Sequence, residues 1–320
     1  MTDHRTSAPS GPLIGRLWAW SQERFPLAQG VFVAVLYATG LLFGRYLVTD
    51  ETFTLDWQDV VGFFACWAVF LMLRVFDEHK DYEEDLQNHP ERVLQSGQIT
   101  LGHLKVLGVL AVLGQGAFSM WVDSGLGSVT VYWLAVLIWS ALMAVEFFVP
   151  RWLNEHFVIY GASHMLVMVF VLAWLMRMGA DGASLTAPAW WLAMLAFFAG
   201  CTYECTRKAW GVEEERETVG SYARVFGVRG VAVAIAVVMG LAQVASLGIV
   251  HQVIGLDRWW WAIAPLLGWI LVVLTVLKYA KSPTAKTRKA NEAVVGLGML
   301  AAYATPLTAL IVSRGVGWVS

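Results

Sequence analysis

The chain has 320 residues, of which 58% are hydrophobic and 14% charged, with a mean hydropathy of +0.60. Soluble domains carry about 25% charged residues, so this composition excludes one and describes an integral membrane protein. The formal net charge of −2 supplies no basic field, which argues against nucleic acid as a partner.

Residues 1–24 are predicted to form a flexible cytoplasmic segment; its start is polar and lacks the apolar stretch and cleavage site of a signal peptide. A spanning helix needs roughly 20 apolar residues to cross about 30 Å of hydrocarbon. Apolar runs of that order follow at 27–48, 57–75, 101–121, 128–148, 157–178, 187–206, 228–249, 259–278 and 292–313. The sequence therefore predicts an all-α polytopic membrane protein, with residues 25–320 forming one domain of nine transmembrane helices bundled around a central cavity. Trp18, Trp20, Trp57, Trp152, Trp190, Trp191 and Trp259–Trp261 stand near the ends of runs, where indoles anchor helices at the headgroups. Cys66, Cys201 and Cys205 lie in or beside apolar runs at no zinc-binding spacing and read as reduced packing residues.

In a nine-span arrangement, 18 of the 22 Lys and Arg fall on one side, and only Arg45, Arg177, Arg258 and Arg314 on the other. The excess of positive charge on the cytoplasmic face places the N-terminus inside and the C-terminus outside. The cluster from Lys281 to Lys289 marks that inner face and suits anionic lipid.

The second run leads into Asp77-Glu78-His79-Lys80-Asp81-Tyr82-Glu83-Glu84-Asp85. If the helix continues past Phe76, Asp77, Asp81 and Asp85 recur at i, i+4 and i+8 and share a face. Like charges stacked in this way repel, so the row calls for a compensating cation. Mg²⁺ takes hard oxygen ligands and commonly bridges carboxylates to phosphate oxygens. The spacing alone serves a solvated acidic loop equally well. A second acid-rich stretch follows the sixth run, from Tyr203-Glu204 through Arg207-Lys208 to Glu213-Glu214-Glu215, where carboxylates again sit beside cations at a cytoplasmic helix end.

Two acid-rich loops after spans two and six resemble the UbiA superfamily of intramembrane prenyltransferases over essentially the whole membrane region. Its first motif, N-D-x-x-D-x-x-x-D with a trailing Arg-Pro-Leu segment and Gly, is matched by Asp77-Glu78, Asp81 and Asp85, then Arg92-Val93-Leu94 and Gly97. In the second, Tyr203-Glu204 resembles the opening, Glu213 and Glu214 the later acids, and Ser221 and Gly227 the close, with Glu replacing Asp throughout and the pair Arg207-Lys208 added. Where the family often has Tyr-x-x-x-Lys after span four, this chain has Glu146-Phe147-Phe148-Val149-Pro150-Arg151.

The resemblance implies Mg²⁺-dependent transfer of a prenyl group from an allylic prenyl diphosphate to an aromatic or other lipophilic acceptor within the membrane. Asp77, Asp81, Asp85 and Glu204 would hold the metal, with Glu213 a further candidate, while Arg207 and Lys208 stabilise the departing diphosphate. Arg92, Arg151, Glu146, Glu213 and Glu214 would line the substrate, and Glu146 or Glu78 would take the released proton. The allylic cation would be shielded by the apolar, aromatic bundle. His164, at mid-span, either orients an acceptor or acts as a base, or is a hydrogen-bonded structural histidine. A terpene cyclase on the same scaffold is the alternative, kept by the altered second motif. A transporter ranks below both, because the acids gather at one membrane face rather than within the spans. Gly296 and Gly298, inside an apolar run, read as close packing rather than a nucleotide loop.

Overall fold

The computed structural model describes residues 11–180, 187–215 and 220–319; Arg5, Arg216, Glu217 and Ser320 are among those outside the described residues. Each apolar run is a helix: α2 Gln29–Tyr46, α3 Trp57–Lys80, α5 Leu101–Val122, α6 Ser128–Ala144, α8 Phe157–Gly179, α9 Ala187–Arg207, α10 Tyr222–Ile254, α11 Ile263–Lys281 and α12 Ala285–Arg314. Shorter helices α1 (Leu13–Arg24), α4 (Tyr82–Asn88) and α7 (Pro150–Glu155) lie between them. Six of the long helices have the length and composition to cross a membrane, and a seventh does if α1 and α2, bent by 70° at their junction, count as one span. On those criteria the expected nine spans are six or seven among the described residues.

Two departures from the expected boundaries bear on the site. The segment read as flexible is a helix over Leu13–Arg24; its Trp20 is buried, and Arg24 reaches Glu78 at 2.5 Å. The fourth run, expected to end at 148, stops at Ala144. Glu146, Phe147 and Phe148 all adopt positive φ, forming a left-handed turn before Pro150 starts α7. A left-handed turn without glycine is strained, and such strain persists only where the surroundings hold it.

The bundle packs through small residues. A Cβ on Gly44 of α2 would run into the carbonyl of Met176 on α8, and one on Gly179 of α8 into the carbonyl of Leu41. The two backbones therefore touch, the small-residue contact that drives helix association where lipid removes the hydrophobic force. At the N-terminal end of α3, β1 (Phe53–Leu55) pairs in parallel with β2 (Val316–Trp318). Arg314 binds Asp50 at 2.7 Å, and Arg45 binds Asp59 at 2.7 Å. These contacts close the end of the bundle opposite the acidic row, which lies at the C-terminal end of α3.

The loop after α9 is docked on the start of α12. Arg288 donates two 2.8 Å hydrogen bonds to Glu214, and the backbone N–H of Ala285 donates to Glu213 at 2.6 Å. Burial tends to raise the Glu214 carboxyl, but the hydrogen bonds from Arg288 and the Gly211 N–H outweigh it and hold the group below its ordinary value.

Replacing Gly44 with Val is expected to cost about 1–3 kcal/mol through overpacking and to lower the thermal midpoint in detergent. A midpoint equal to wild type would contradict the backbone contact. Because the folded Glu214 value is depressed, its contribution is complete above the unfolded value and disappears as pH falls through the folded one. The bidentate pair is partly exposed, so screening limits it to about 1 kcal/mol or less. The stability difference between wild type and Glu214→Gln should be constant near neutrality and close below about pH 4.5; a gap that widens on acidification would refute the pairing.

Candidate active site

Helix α3 runs to Lys80, and the chain turns at Asp81 into α4 without losing the backbone ladder. Asp81 N–H donates to Asp77 O at 2.8 Å, and Asp85 N–H to Asp81 O at 2.8 Å. The i, i+4, i+8 register therefore survives the bend, yet the three carboxylates have different surroundings. Asp77 and Asp81 are half-exposed and loosely paired, with Arg74 at 3.6 Å and Lys80 at 3.9 Å. Asp85 is nearly buried and held by Arg92 at 2.6 Å and Arg24 at 3.4 Å. Arg92 thus enters the site as the partner of Asp85. Burial, opposed by Lys80 but reinforced by Asp77 and Asp85, raises the Asp81 carboxyl from its ordinary value. Burial also raises Glu84, with Asp81 and Asp85 adding to the shift.

On the last turn of α9, the buried Glu204 receives Arg207 on one oxygen and Lys208 on the other, each at 2.9 Å. The spacings i, i+3 and i, i+4 wrap both cations round one carboxylate, which fixes their position at the helix end. Both Glu204 oxygens are therefore already engaged by cations.

Tyr160, in the first turn of α8, joins the two acidic segments, and nothing in the motif pattern singles it out. Lys80 donates to its hydroxyl at 2.9 Å, and the Lys208 ammonium lies 4.6 Å from its ring centroid and 5.1 Å from that of Phe157. One aromatic side chain thus sits between an ammonium from the first acidic segment and an ammonium from the second. Lys80 also stands 3.7 Å from Glu146, presented by the left-handed turn. Lys80 was readable as the one cation inside an acidic run; Tyr160 had no such signal.

The remaining expected residues are placed differently. Glu213 and Glu214 hold the start of α12. Arg151 is exposed on α7 beside Phe148 and Trp152 and makes no ion pair among the described residues. Buried Glu78 is paired to Arg24. His164 stacks on Tyr160 with ring centroids 4.1 Å apart and meets the edge of Phe147 at 5.9 Å. It lines a small cavity with Leu73, Phe76, Asp77 and Lys80 of α3 and Ser140, Met143 and Ala144 at the end of α6. That cavity lies where α6 stops short.

Among the described residues, no three of His, Cys, Asp and Glu cluster closely enough to cage a metal ion. The donor set instead fits Mg²⁺ in its usual bridging role: hard carboxylate oxygens on Asp77 and Asp81, half-exposed, with space for water and phosphate oxygens to complete the shell.

Comparison with known proteins agrees with this architecture. No curated protein matches the chain. A solved structure of a digeranylgeranylglyceryl phosphate synthase superposes with a TM-score of 0.57 at 14% identity, covering 92% of this chain and 99% of that one. The apo structure of a UbiA homolog from Aeropyrum pernix K1 gives a TM-score of 0.59 at 14% identity, covering 85% and 95%. At that identity the likeness shows the fold. The model of the UbiA prenyltransferase family matches residues 34–302, most of the chain, and the protein belongs to that family.

Proposed function

We propose that the protein transfers a prenyl group from an allylic prenyl diphosphate to a lipophilic acceptor, with Mg²⁺ and with the diphosphate seated between the α3–α4 row and the end of α9. The observation that carries this reading is Tyr160 between Lys80 and Lys208, since it joins two acidic segments, each with its own cation.

Mg²⁺, when bound, would neutralise the leaving diphosphate as a Lewis acid. The protein's own groups divide the remaining work. Asp77 and Asp81 would hold the ion through their half-exposed carboxylates. Lys80, Arg207 and Lys208 supply positive charge where the C–O bond breaks, and they are held in advance by Tyr160 and Glu204, so no reorganisation is needed as charge develops. Glu204 is thus a positioning group for two cations, and Asp85 is a structural partner of Arg24 and Arg92; neither serves as a metal ligand in this reading. The apolar walls of α3, α6 and α8 exclude water from the allylic cation.

The chain crosses the membrane nine times in this scheme. Helix α6, at 17 residues, is about 25 Å long, a little less than the hydrocarbon thickness. The crossing there is completed by the turn and α7.

Asp81→Ala and Lys80→Met should each lower Mg²⁺-dependent release of diphosphate from geranylgeranyl diphosphate by about 10²–10³-fold, the usual cost of removing one group that stabilises developing charge. Both variants should retain the wild-type elution profile in detergent. Undiminished release from Asp81→Ala would overturn the site. Mass spectrometry should show a prenylated product only when an acceptor is supplied; a cyclised hydrocarbon formed without one would turn the reading to a cyclase. For topology, a cysteine added after Ser320 should react with an impermeant maleimide in intact cells and be protected in inside-out vesicles; the reverse labelling would reject the orientation.

A further inference from the structure

The last two residues of α1 reach into the acidic row. Arg24 donates from Nε to Glu78 at 2.5 Å and from Nη2 to Asp85 at 3.4 Å. Glu78 belongs to α3 and Asp85 to α4, so one guanidinium ties together the helices on either side of the bend at Asp81. Glu23 beside it accepts the backbone N–H of Val93 at 3.0 Å and stands 3.8 Å from Arg92, which holds Asp85 at 2.6 Å. The end of α1 therefore meets both arms of the bend and the segment that follows them.

The direction of α4 depends on these ties. The helix has seven residues and buries none of them fully, and so short a helix does not hold itself together. Tyr82, in its first turn, packs on the apolar cluster that contains Trp20, Phe25 and Val75; its far half is held at Asp85. Helix α1 is a firm base for the tie, because Trp20 and Phe25 are buried in that cluster and Arg16 donates to the carbonyl of Gln98 at 2.6 Å. The bend itself passes through Asp81, whose backbone, at φ −93° and ψ 6°, lies in the sparsely populated bridge region. Rotation about its N–Cα bond swings its Cβ and the whole of α4 together. Fixing α4 therefore fixes the direction of the Asp81 carboxylate relative to Asp77, which stays with α3.

We propose that Arg24 is a positioning residue for the transfer, a strut across the α3–α4 bend that aims Asp81 beside Asp77 for the metal-bound diphosphate. The inference deepens the prenyltransferase reading and rests on it. Arg24 touches neither the ion nor the substrate in this scheme. Its charge is answered by Glu78 and Asp85, so its contribution to the site is geometric.

Removing Arg24 alone would leave Glu78 buried and unpaired, which is strongly destabilising. The decisive variant is Arg24→Met/Glu78→Met, which exchanges the pair for apolar side chains of similar length and leaves the net charge of the site unaltered. The full chain in detergent is titrated calorimetrically, in Mg²⁺, with geranylgeranyl S-thiolodiphosphate, an analogue whose C–S bond resists ionisation. Amide hydrogen exchange over residues 82–89 is followed in parallel. The double variant should keep a thermal midpoint near wild type, exchange faster over 82–89 alone, and bind the analogue about 10–100-fold more weakly, the usual cost of losing the support behind a metal ligand. Arg24→Lys, which keeps the charge without the fork, should lie between the two. Faster exchange over 82–89 with wild-type affinity would overturn the positioning role, and unchanged exchange there would overturn the strut. A lowered midpoint with faster exchange in every helix would make the pair a general stabiliser and overturn the proposal as well. Wild-type affinity for the analogue that is the same in Mg²⁺ and in EDTA would defeat the Mg²⁺-dependent transferase reading, while the exchange over 82–89 would still report on the strut by itself.

Discussion

Cations at the edge of a hydrocarbon phase must be paired, and the pairing of Lys80 and Lys208 through Tyr160 is the constraint on which the rest of the site depends. A phenol ring accepts an ammonium over its face, and its hydroxyl oxygen accepts a second, so one side chain can answer two charges without adding negative charge of its own. A carboxylate in that place would add negative charge beside both lysines, whereas the tyrosine adds none to what Glu204 gives Lys208 at 2.9 Å and Glu146 gives Lys80 at 3.7 Å. It also couples α3 and α8 to the residue that follows α9, because Lys80, Tyr160 and Lys208 meet there.

The acids at this end fall into two groups by depth. Glu78, Asp85 and Glu204 lie deep and are each held by arginine or lysine at 2.5–2.9 Å. Unpaired, they would be costly at this depth. Asp77 and Asp81 stand at the rim with cations no closer than 3.6 Å. The deep layer is self-neutralised, whereas the rim carboxylates are only loosely paired; burial, and then their acidic neighbours, raise Asp81 and Glu84. A metal ion carrying a diphosphate is drawn to the rim, while the deep layer sets the geometry that receives it.

How much of this was legible in the sequence follows from the range of each interaction. Apolar runs and the Asp77, Asp81, Asp85 register depend on a residue's neighbours within two or three turns, and they were readable. Glu204 with Arg207 and Lys208 is equally local, and the three were identified together, although only the structure shows the carboxylate consumed by its two cations. Tyr160 was hidden because its partners are 80 residues back and 48 ahead, and an aromatic at a helix start looks like an interface anchor. Glu213 and Glu214 were assigned to substrate from their resemblance to the later acids of the second motif, but their partners lie some 70 residues away at the start of α12. Arg151 was read by analogy of position with a lysine, and exposed on α7 it has no contact with the paired charges. The early end of α6 was obscured because its left-handed turn is built from Glu146, Phe147 and Phe148, none of which announces positive φ.

That turn is also where strain and function meet. Continuing α6 for one more turn would satisfy its backbone and relieve three unfavourable φ values at once. The folded chain forgoes that gain, and the contacts made by the turn show what stands against it. Phe147 lies edge-on to both His164 and Trp139, and Glu146 approaches Lys80. A straight continuation would carry Phe147 off His164 and take Glu146 away from the lysine. The space beside Ser140, Met143 and Ala144 exists because the helix ends there. A bundle selected for stability alone would fill that space with the helix, whereas one that must admit a substrate beneath a paired layer of charge has a reason to leave it open.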